Sequence, residues 1–333
     1  LEIIQHKGSG MSKAIRIHET GGPEVMQWED VDVGPPEAGM VTVVHHAVGL
    51  NYIDTYHRSG LYPLPLPTGI GMEAAGVVEA VGEGVDLKPG DRVAYCSAGF
   101  GAYSERINLP ASRLVSLPEG IGFEQAAAVL LKGQTAEYLL QRTYPLQAGE
   151  TCLYHAAAGG VGLVFGQWAT SIGATAIGTV SSEEKAELAR AHGYRHVINY
   201  TTENVVERVR EITGGELLPV VYDGVGRDTF EMSLDCLRPR GLMVSFGNAS
   251  GAPDPLDLQV LTAKGSLFIT RPTLLTYTAV AEDLRQSSED LFARVLGGDI
   301  SIEINQRYPL AEVQQAHRDL EARRTTGSSI LLP

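Results

Sequence analysis

Cysteine is scarce in this chain, and no two cysteines are close in sequence. Cys96, Cys152 and Cys236 are widely separated and odd in number, and none stands in a Cys-x-x-Cys pair. That spacing excludes a disulfide framework and offers no thiolate zinc site. Three small buried apolar residues in a reducing, cytoplasmic setting are expected instead. No apolar run approaches the roughly 18 residues of a membrane span, and no signal peptide is expected. Positive charge is also short: 26 Lys and Arg face 40 Asp and Glu, a formal net charge of −14 over 333 residues. This balance argues against a general nucleic-acid binder or a surface drawn to anionic membrane. Internal repeats and low-complexity segments are missing as well. Residues 1–10, with a Gly-Ser-Gly run ahead of Met11, read as an expression scar and are set aside from the fold.

What remains is an ordinary globular composition, 44% hydrophobic and 20% charged, long enough for two cores. Residues 12–117 read as β-rich, with runs such as Met40–Val44 and Ala74–Val81 bounded by dense Gly and Pro turns. A small barrel-like β domain is expected there. From about Phe123 the texture changes. Helical segments are expected at 124–129 and 135–140. Strands then follow at 151–154, 175–180, 196–200, 220–223, 242–246 and 267–269, with helices at 183–192, 203–212 and 228–236. Such alternation favours a doubly wound parallel sheet. After about Arg271 it stops, leaving helices at 287–295 and 310–324 and a closing strand at 329–332.

The richest stretch is Thr151-Cys152-Leu153-Tyr154-His155-Ala156-Ala157-Ala158-Gly159-Gly160-Val161-Gly162. A short apolar run, a Gly-rich turn and an apolar-periodic segment follow in the order a phosphate-binding strand–turn–helix needs. Gly159 is expected to let the backbone turn toward a pyrophosphate, Gly160 to open the helix, and Gly162 to allow close helix–strand packing. Ala157 stands where the usual fingerprint has its first Gly. A dinucleotide and hydride transfer are the first chemistry to consider.

Several motifs together resemble one family. They are Asn51-Tyr52-Ile53-Asp54-Thr55-Tyr56, Ser59-Gly60-Leu61-Tyr62-Pro63, Gly71-Met72-Glu73-Ala74-Ala75-Gly76, the 155–163 turn, Val221-Tyr222-Asp223-Gly224-Val225-Gly226 and Gly241–Asn248. The chain resembles the zinc-free, medium-chain NAD(P)H:quinone oxidoreductases of the zeta-crystallin-like group across most of 11–333. The resemblance implies a GroES-like catalytic domain (11–125 plus 272–333) split by an inserted Rossmann domain (126–271), with the cofactor in the cleft between them. It also implies a homodimer joined through the Rossmann sheets.

The cofactor expected is NADPH. The second strand of the alternation ends Gly178-Thr179-Val180-Ser181-Ser182, without the acid that holds an NAD ribose. Lys185 follows as a point charge for a 2′-phosphate, and Tyr200 adds a phenol. The resemblance adds Ser182 and Arg323 to that set, places Asn51 and Thr135 near the nicotinamide, and sets Phe246 and Gly247 beside it. Ala158, Gly159, Gly160 and Val161 form the expected phosphate turn. Gly224 stands where the family often has Ser, so one hydroxyl contact is in question.

Zinc-dependent relatives carry Cys and His in the segments that here hold Asn51 and Met72, which are poor zinc ligands. No metal site is expected. Without a metal, an alkoxide lacks an evident stabiliser, whereas a quinone is already electrophilic and needs mainly positioning. Tyr52 is the candidate for donating to the acceptor carbonyl, with Asn51 beside it. Glu73 is expected to anchor loops, and His155 to satisfy buried backbone. The competing readings are an NADPH-dependent reductase of activated C=C bonds (enones, haloacrylates) and a nucleotide-regulated RNA-binding or crystallin-like protein. The acidic balance counts against the latter.

Overall fold

The computed structural model describes residues 10–333, so the scar expected at 1–10 lies outside the described residues except for Gly10. Two compact units result. One comprises the chain through Leu130 together with Gln306–Arg324 and Ser329–Pro333; the other comprises Leu131–Asn305 and Thr325–Ser328.

The first unit opens with β1 (Met11–Ile17), β2 (Gln27–Asp32), β3 (Met40–Leu50), helix α1 (Tyr52–Ser59), β4 (Thr68–Gly69), β5 (Ala74–Val81), β6 (Arg92–Tyr95), β7 (Arg106–Pro110) and β8 (Val115–Ser116). A three-stranded sheet has the order β2-β1-β4, and a larger sheet runs from β3 through β5 and β6 to β8, with β7 also on β3. The pairs are antiparallel. Their inner faces meet in one core that includes Ile15, Ile17, Val41, Val43, Val48, Tyr95 and Tyr103. This is the expected β domain. Helix α1 was not legible as a helix, because Tyr52–Ser59 mixes aromatic and β-branched residues.

Helix α2 (Phe123–Glu137) leads into the second unit, whose boundary falls inside it between Leu130 and Leu131. The two helical segments expected at 124–129 and 135–140 are one continuous helix that ends in a wider turn at Tyr138–Thr143. Their polar interruption, Lys132-Gly133-Gln134, is itself buried, and Gln134 Nε2 donates to Ser288 Oγ at 2.8 Å. Alternation then follows: β9 (Thr151–Tyr154), α3 (Gly160–Ile172), β10 (Thr175–Val180), α4 (Glu183–Ala191), β11 (Tyr194–Asn199), α5 (Val205–Ile212), β12 (Leu218–Asp223), α6 (Phe230–Asp235), β13 (Leu237–Ser245), α7 (Gln259–Ala263) and β14 (Phe268–Thr270). The six strands are parallel in the order β11-β10-β9-β12-β13-β14. Parallel strands covered on both faces carry unbroken apolar runs, and every residue of β12 is buried.

Chain order reverses between β9 and β12, the switch point at which open parallel sheets bind ligands. Beyond β14 come α8 (Leu274–Tyr277), α9 (Ala281–Gly297), β15 (Ile304–Pro309), α10 (Val313–Glu321) and β16 (Ser328–Leu332). Residues 272–305 group with the parallel sheet rather than with the β-rich unit as the resemblance implied. Helix α9 is tied there by Ser287 Oγ donating to Glu137 Oε2 at 2.9 Å and by the Gln134–Ser288 bond. Only Gln306–Arg324 and Ser329–Pro333 return to the first unit. There β16 pairs antiparallel with β3, Ile330 opposite Gly49.

Candidate active site

In the second unit, five of the six strands end in residues that the sequence had singled out. His155 follows β9, Gly178 and Thr179 lie near the end of β10, Tyr200 follows β11, Gly224 follows β12, and Phe246 and Gly247 follow β13. All stand at the carboxyl edge of one sheet.

The Gly-rich turn differs in detail from expectation. The left-handed residue is Ala156, at φ 60°, and not a glycine. Such a conformation costs a side-chain-bearing residue about 1 kcal/mol or more. Gly159 is extended and caps α3, its N–H donating to Ala156 O at 3.0 Å, and Gly160 opens the helix. Gly162 makes the close approach, but to the turn rather than to the strand. A Cβ there would lie 2.5 Å from Ala157 O and 2.7 Å from Ala156 O. The first turn of α3 therefore presses on the loop and fixes where its N–H groups point, the arrangement an anion needs. Ala158 is buried, and its carbonyl accepts the Gly327 N–H at 3.2 Å; Val161 is half-buried in the first turn of α3.

Thr179 is buried behind this turn, and its hydroxyl contacts His155 Nδ1 at 3.0 Å and Ala156 N at 3.3 Å. Gly178 packs against the Ala157 methyl and the Tyr194 ring. Neither lies open to a ligand through its side chain. His155 bonds side chains rather than the backbone expected for it, with Ser233 Oγ at 3.0 Å on its other nitrogen.

At the end of β10, Ser182 is the N-cap of α4, and its hydroxyl accepts the Lys185 N–H at 3.3 Å. Lys185 is half-buried in the first turn, and Tyr200 is 42% exposed with its N–H on Val180 O at 3.1 Å. Glu183 turns outward to Arg190, at 2.6 Å, so it does not face the turn as an opposing charge. Gly224 packs beneath Phe246, where a Cβ would lie 2.9 Å from the ring. That contact gives a physical reason for glycine where a serine was anticipated. Arg271, which sequence reasoning missed, fixes the end of β13 by donating to Ser245 O, Ser245 Oγ and Gly247 O at 3.0–3.1 Å.

Thr135 lies on α2 with its hydroxyl on Leu131 O at 2.7 Å. Lys132, one turn earlier on the same helix, was also missed. Its side chain is buried, and its Cδ and Cε pack over Gly160, 2.8 Å from where a Cβ would sit. Only its burial distinguishes it from a solvated helix lysine, and the sequence carries no signal for that.

In the first unit, Asn51 caps α1 and Tyr52 is its first residue. Asn51 Nδ2 donates to Glu73 Oε2 at 2.7 Å, and Asn51 N donates to Asp54 Oδ2 at 3.0 Å. Glu73 thus anchors this loop. Tyr103 Oη donates to the same Asp54 oxygen at 2.7 Å and meets His317 Nε2 at 3.0 Å, while Arg58 Nη1 donates to His317 Nδ1 at 2.9 Å. Arg58 completes the series with a two-point pair on Glu321, at 2.7 and 3.0 Å. Burial, and then the Glu321 charge, raise the Tyr52 pKa, so it is a neutral donor at ordinary pH; Arg323 and Arg58 pull the other way. Arg323 belongs to this unit, in left-handed backbone at φ 58° after α10, whereas Ser182, Lys185 and Tyr200 belong to the second.

The three cysteines are free and buried, as their spacing implied. Among the described residues no three His, Cys, Asp or Glu side chains gather as a metal would require. Asn51 is committed to Glu73, and Met72, the other residue at a zinc-ligand position, is a buried thioether.

A family model for the alcohol dehydrogenase GroES-like domain matches residues 37–119, and one for zinc-binding dehydrogenases matches 160–289. The donor set just described does not fit the zinc of the latter description. The chain is 57% identical to a quinone oxidoreductase of Pseudomonas aeruginosa over 97% of its length and 100% of that protein's. It is 46% identical to a 2-haloacrylate reductase of a Burkholderia species, over 97% of this chain and 99% of that one. The crystal structure of Escherichia coli quinone oxidoreductase complexed with NADPH superposes with a TM-score of 0.95 at 51% identity, covering 96% of this chain and 100% of that one. With its Rossmann-type sheet and GroES-like unit, the chain belongs to the zinc-free quinone oxidoreductases of the medium-chain family.

Proposed function

We propose that the chain is an NADPH-dependent quinone reductase that works without metal or flavin, carrying hydride to a quinone that takes up one proton from water to become a hydroquinone. The observation that carries this reading is the glycine turn at the sheet's switch point, in a chain 51% identical to a protein solved with NADPH. NADPH, when bound, supplies the hydride.

The chain's own residues bind and orient. Ala158, Gly159, Gly160, Val161 and the α3 N-terminus take the pyrophosphate, with the Lys132 ammonium adding positive charge beside Gly160. Ser182, Lys185, Tyr200 and Arg323 take the 2′-phosphate. Asn51 and Thr135 orient the nicotinamide, with Gly224, Phe246 and Gly247 flanking it, while Gly178 and Thr179 support the turn from behind. Tyr52 donates a hydrogen bond to the acceptor carbonyl, and its raised pKa keeps the proton on the phenol.

NADPH oxidation with 1,4-benzoquinone, using chelator-dialysed, flavin-free protein and NADH in parallel, tests the reading. Turnover favouring NADPH is expected; none, despite NADPH binding, overturns the quinone assignment. Lys185→Ala is expected to raise KM for NADPH about 10- to 100-fold, the loss of one charged hydrogen bond, with little change for NADH. A second reading, reduction of activated C=C bonds, is favoured by the 46% identity to a 2-haloacrylate reductase. A saturated halo-acid product from 2-chloroacrylate would mark it.

Two copies are proposed to pair along β14. This strand is the edge of the parallel sheet, and Phe268 on it is 62% exposed. Light scattering is expected to give a dimer for the native chain and a monomer for Phe268→Asp. Three buried free thiols fit a reducing cytoplasm.

A further inference from the structure

Four buried polar side chains run beneath the glycine turn in one unbroken line. Asp223, the last residue of β12, receives the Val225 and Gly226 N–H groups on Oδ1 at 2.9 and 3.0 Å. Its Oδ2 receives the Ser233 hydroxyl at 2.6 Å. Because a carboxylate only accepts, that hydroxyl donates to it, and the Ser233 oxygen is left to accept from His155 Nε2 at 3.0 Å. Nε2 therefore carries the imidazole proton, and Nδ1 accepts from the Thr179 hydroxyl at 3.0 Å. The Thr179 oxygen in turn accepts the N–H of Ala156 at 3.3 Å. Every donor points the same way, from the turn to Asp223.

The line ends on the residue whose backbone is strained. Ala156 holds φ 60° without being glycine, and its carbonyl closes the turn by accepting the Gly159 N–H. At its other end, Asp223 shapes the loop that begins with Gly224, which packs on Phe246. The line thus connects the two loops that flank the switch point. A neutral imidazole spans two hydroxyls with one donor and one acceptor at this spacing. His155 is 2% exposed, and burial lowers its pKa, which keeps the ring neutral in both roles.

We infer that His155 is a positioning residue for the cofactor: through Thr179 it holds Ala156 in the left-handed conformation that aims the turn at the dinucleotide phosphates, and through Ser233 and Asp223 it keeps the nicotinamide-side loop in register with that turn. The inference rests on the NADPH reading above. It assigns His155 no contact with reacting atoms, so ground-state binding of the cofactor is what it controls.

The test compares His155→Leu, His155→Gln and Thr179→Val for NADPH Kd by fluorescence titration, for KM and kcat with 1,4-benzoquinone, and for thermal midpoint. Glutamine places a donor and an acceptor about as far apart as the two ring nitrogens. His155→Leu and Thr179→Val are each expected to weaken NADPH about tenfold, the value of one net hydrogen bond, with KM rising more than kcat falls. His155→Gln is expected to recover most of the affinity, and Thr179→Val is expected to add little on top of His155→Leu. Wild-type Kd in a folded His155→Leu protein overturns the inference, as does a glutamine variant no better than leucine. Should His155→Leu fail to fold, Thr179→Val and Ser233→Ala decide, since both remove a single atom or hydroxyl from the line. A native protein that does not bind NADPH sinks the functional reading itself, which separates the two failures.

Discussion

Each unit carries a buried histidine inside a one-way series of hydrogen bonds, and the two series end differently. In the first unit Arg58 donates to His317, His317 to Tyr103, and Tyr103 to Asp54, which fixes Asn51 and the start of α1. That series begins at an ion pair with Glu321. In the second unit the line through His155 contains no cation at all and ends on the Asp223 carboxylate, saturated by N–H and O–H donors. Both devices fix a loop that bears proposed site residues. The first uses an ion pair completed from α10, while the second holds one carboxylate, without a cation, by dipoles of one sheet edge. Buried ion pairs are costly to break from one side, whereas a carboxylate held by several donors loses about one hydrogen bond at a time.

The largest expected effect follows from that contrast. Arg58→Met is expected to cost about 3 kcal/mol in urea unfolding, near the low end for a broken buried pair because Glu321 is 36% exposed. A loss no larger than that of a single neutral hydrogen bond would erase the distinction between the two units. Next comes acid. Burial, helped by Arg58, depresses His317 to about 3; burial alone holds His57 at about 4, and burial, against the Ser104 hydrogen bond and with a small push from His46, holds His45 there too, against 6.5 for a free ring. Rings kept neutral in the fold contribute stability that is complete above pH 6.5, declines as pH falls, and is gone below the folded values. Each adds a slope of up to about 1.4 kcal/mol per pH unit in that window. His57→Phe sharpens the point. Among the described residues its Nδ1 has no hydrogen-bond partner, and its ring packs edge-on to Phe100 and Tyr62, so the variant should match the native chain at pH 8 and resist acid better at pH 5. An unchanged slope would remove His57 from the account. The smallest effect belongs to the second unit: Gly224→Ser forces the Phe246 ring aside and is expected to lower stability by about 1 kcal/mol, read from the thermal midpoint.

Much of the parallel sheet was legible, because strands buried on both faces write apolar runs that helices then separate. Strand β12 is such a run, and its neighbours follow suit. The turn was legible as a turn but not in its mechanics. Sequence placed the backbone reversal on Gly159, while the structure places it on Ala156, whose strain depends on Thr179 some twenty positions later. Helix α1 escaped because propensity is weak over eight mixed residues, although Asn51 followed by Asp54 three positions on carries the acidic half of a capping box. Lys132 and Arg271 escaped for a different reason. Burial of Lys132, and the bonds by which the exposed Arg271 holds the end of β13, are tertiary facts of which a lone Lys or Arg gives no local sign.

The pairing of β16 with β3 has a consequence for how the molecule is made. Leu331 lies opposite Val48, so two adjacent backbones are separated by about 280 positions of chain. Every strand of the parallel sheet, by contrast, lies within residues 151–270. On the ribosome the sheet that bears the glycine turn has all its strands in hand while β3 still presents one bare edge next to Asn51 and Tyr52. The unit translated first is therefore the one whose sheet is completed last, and a nascent chain holds every strand around its glycine turn before the loop that bears Asn51 and Tyr52 is braced.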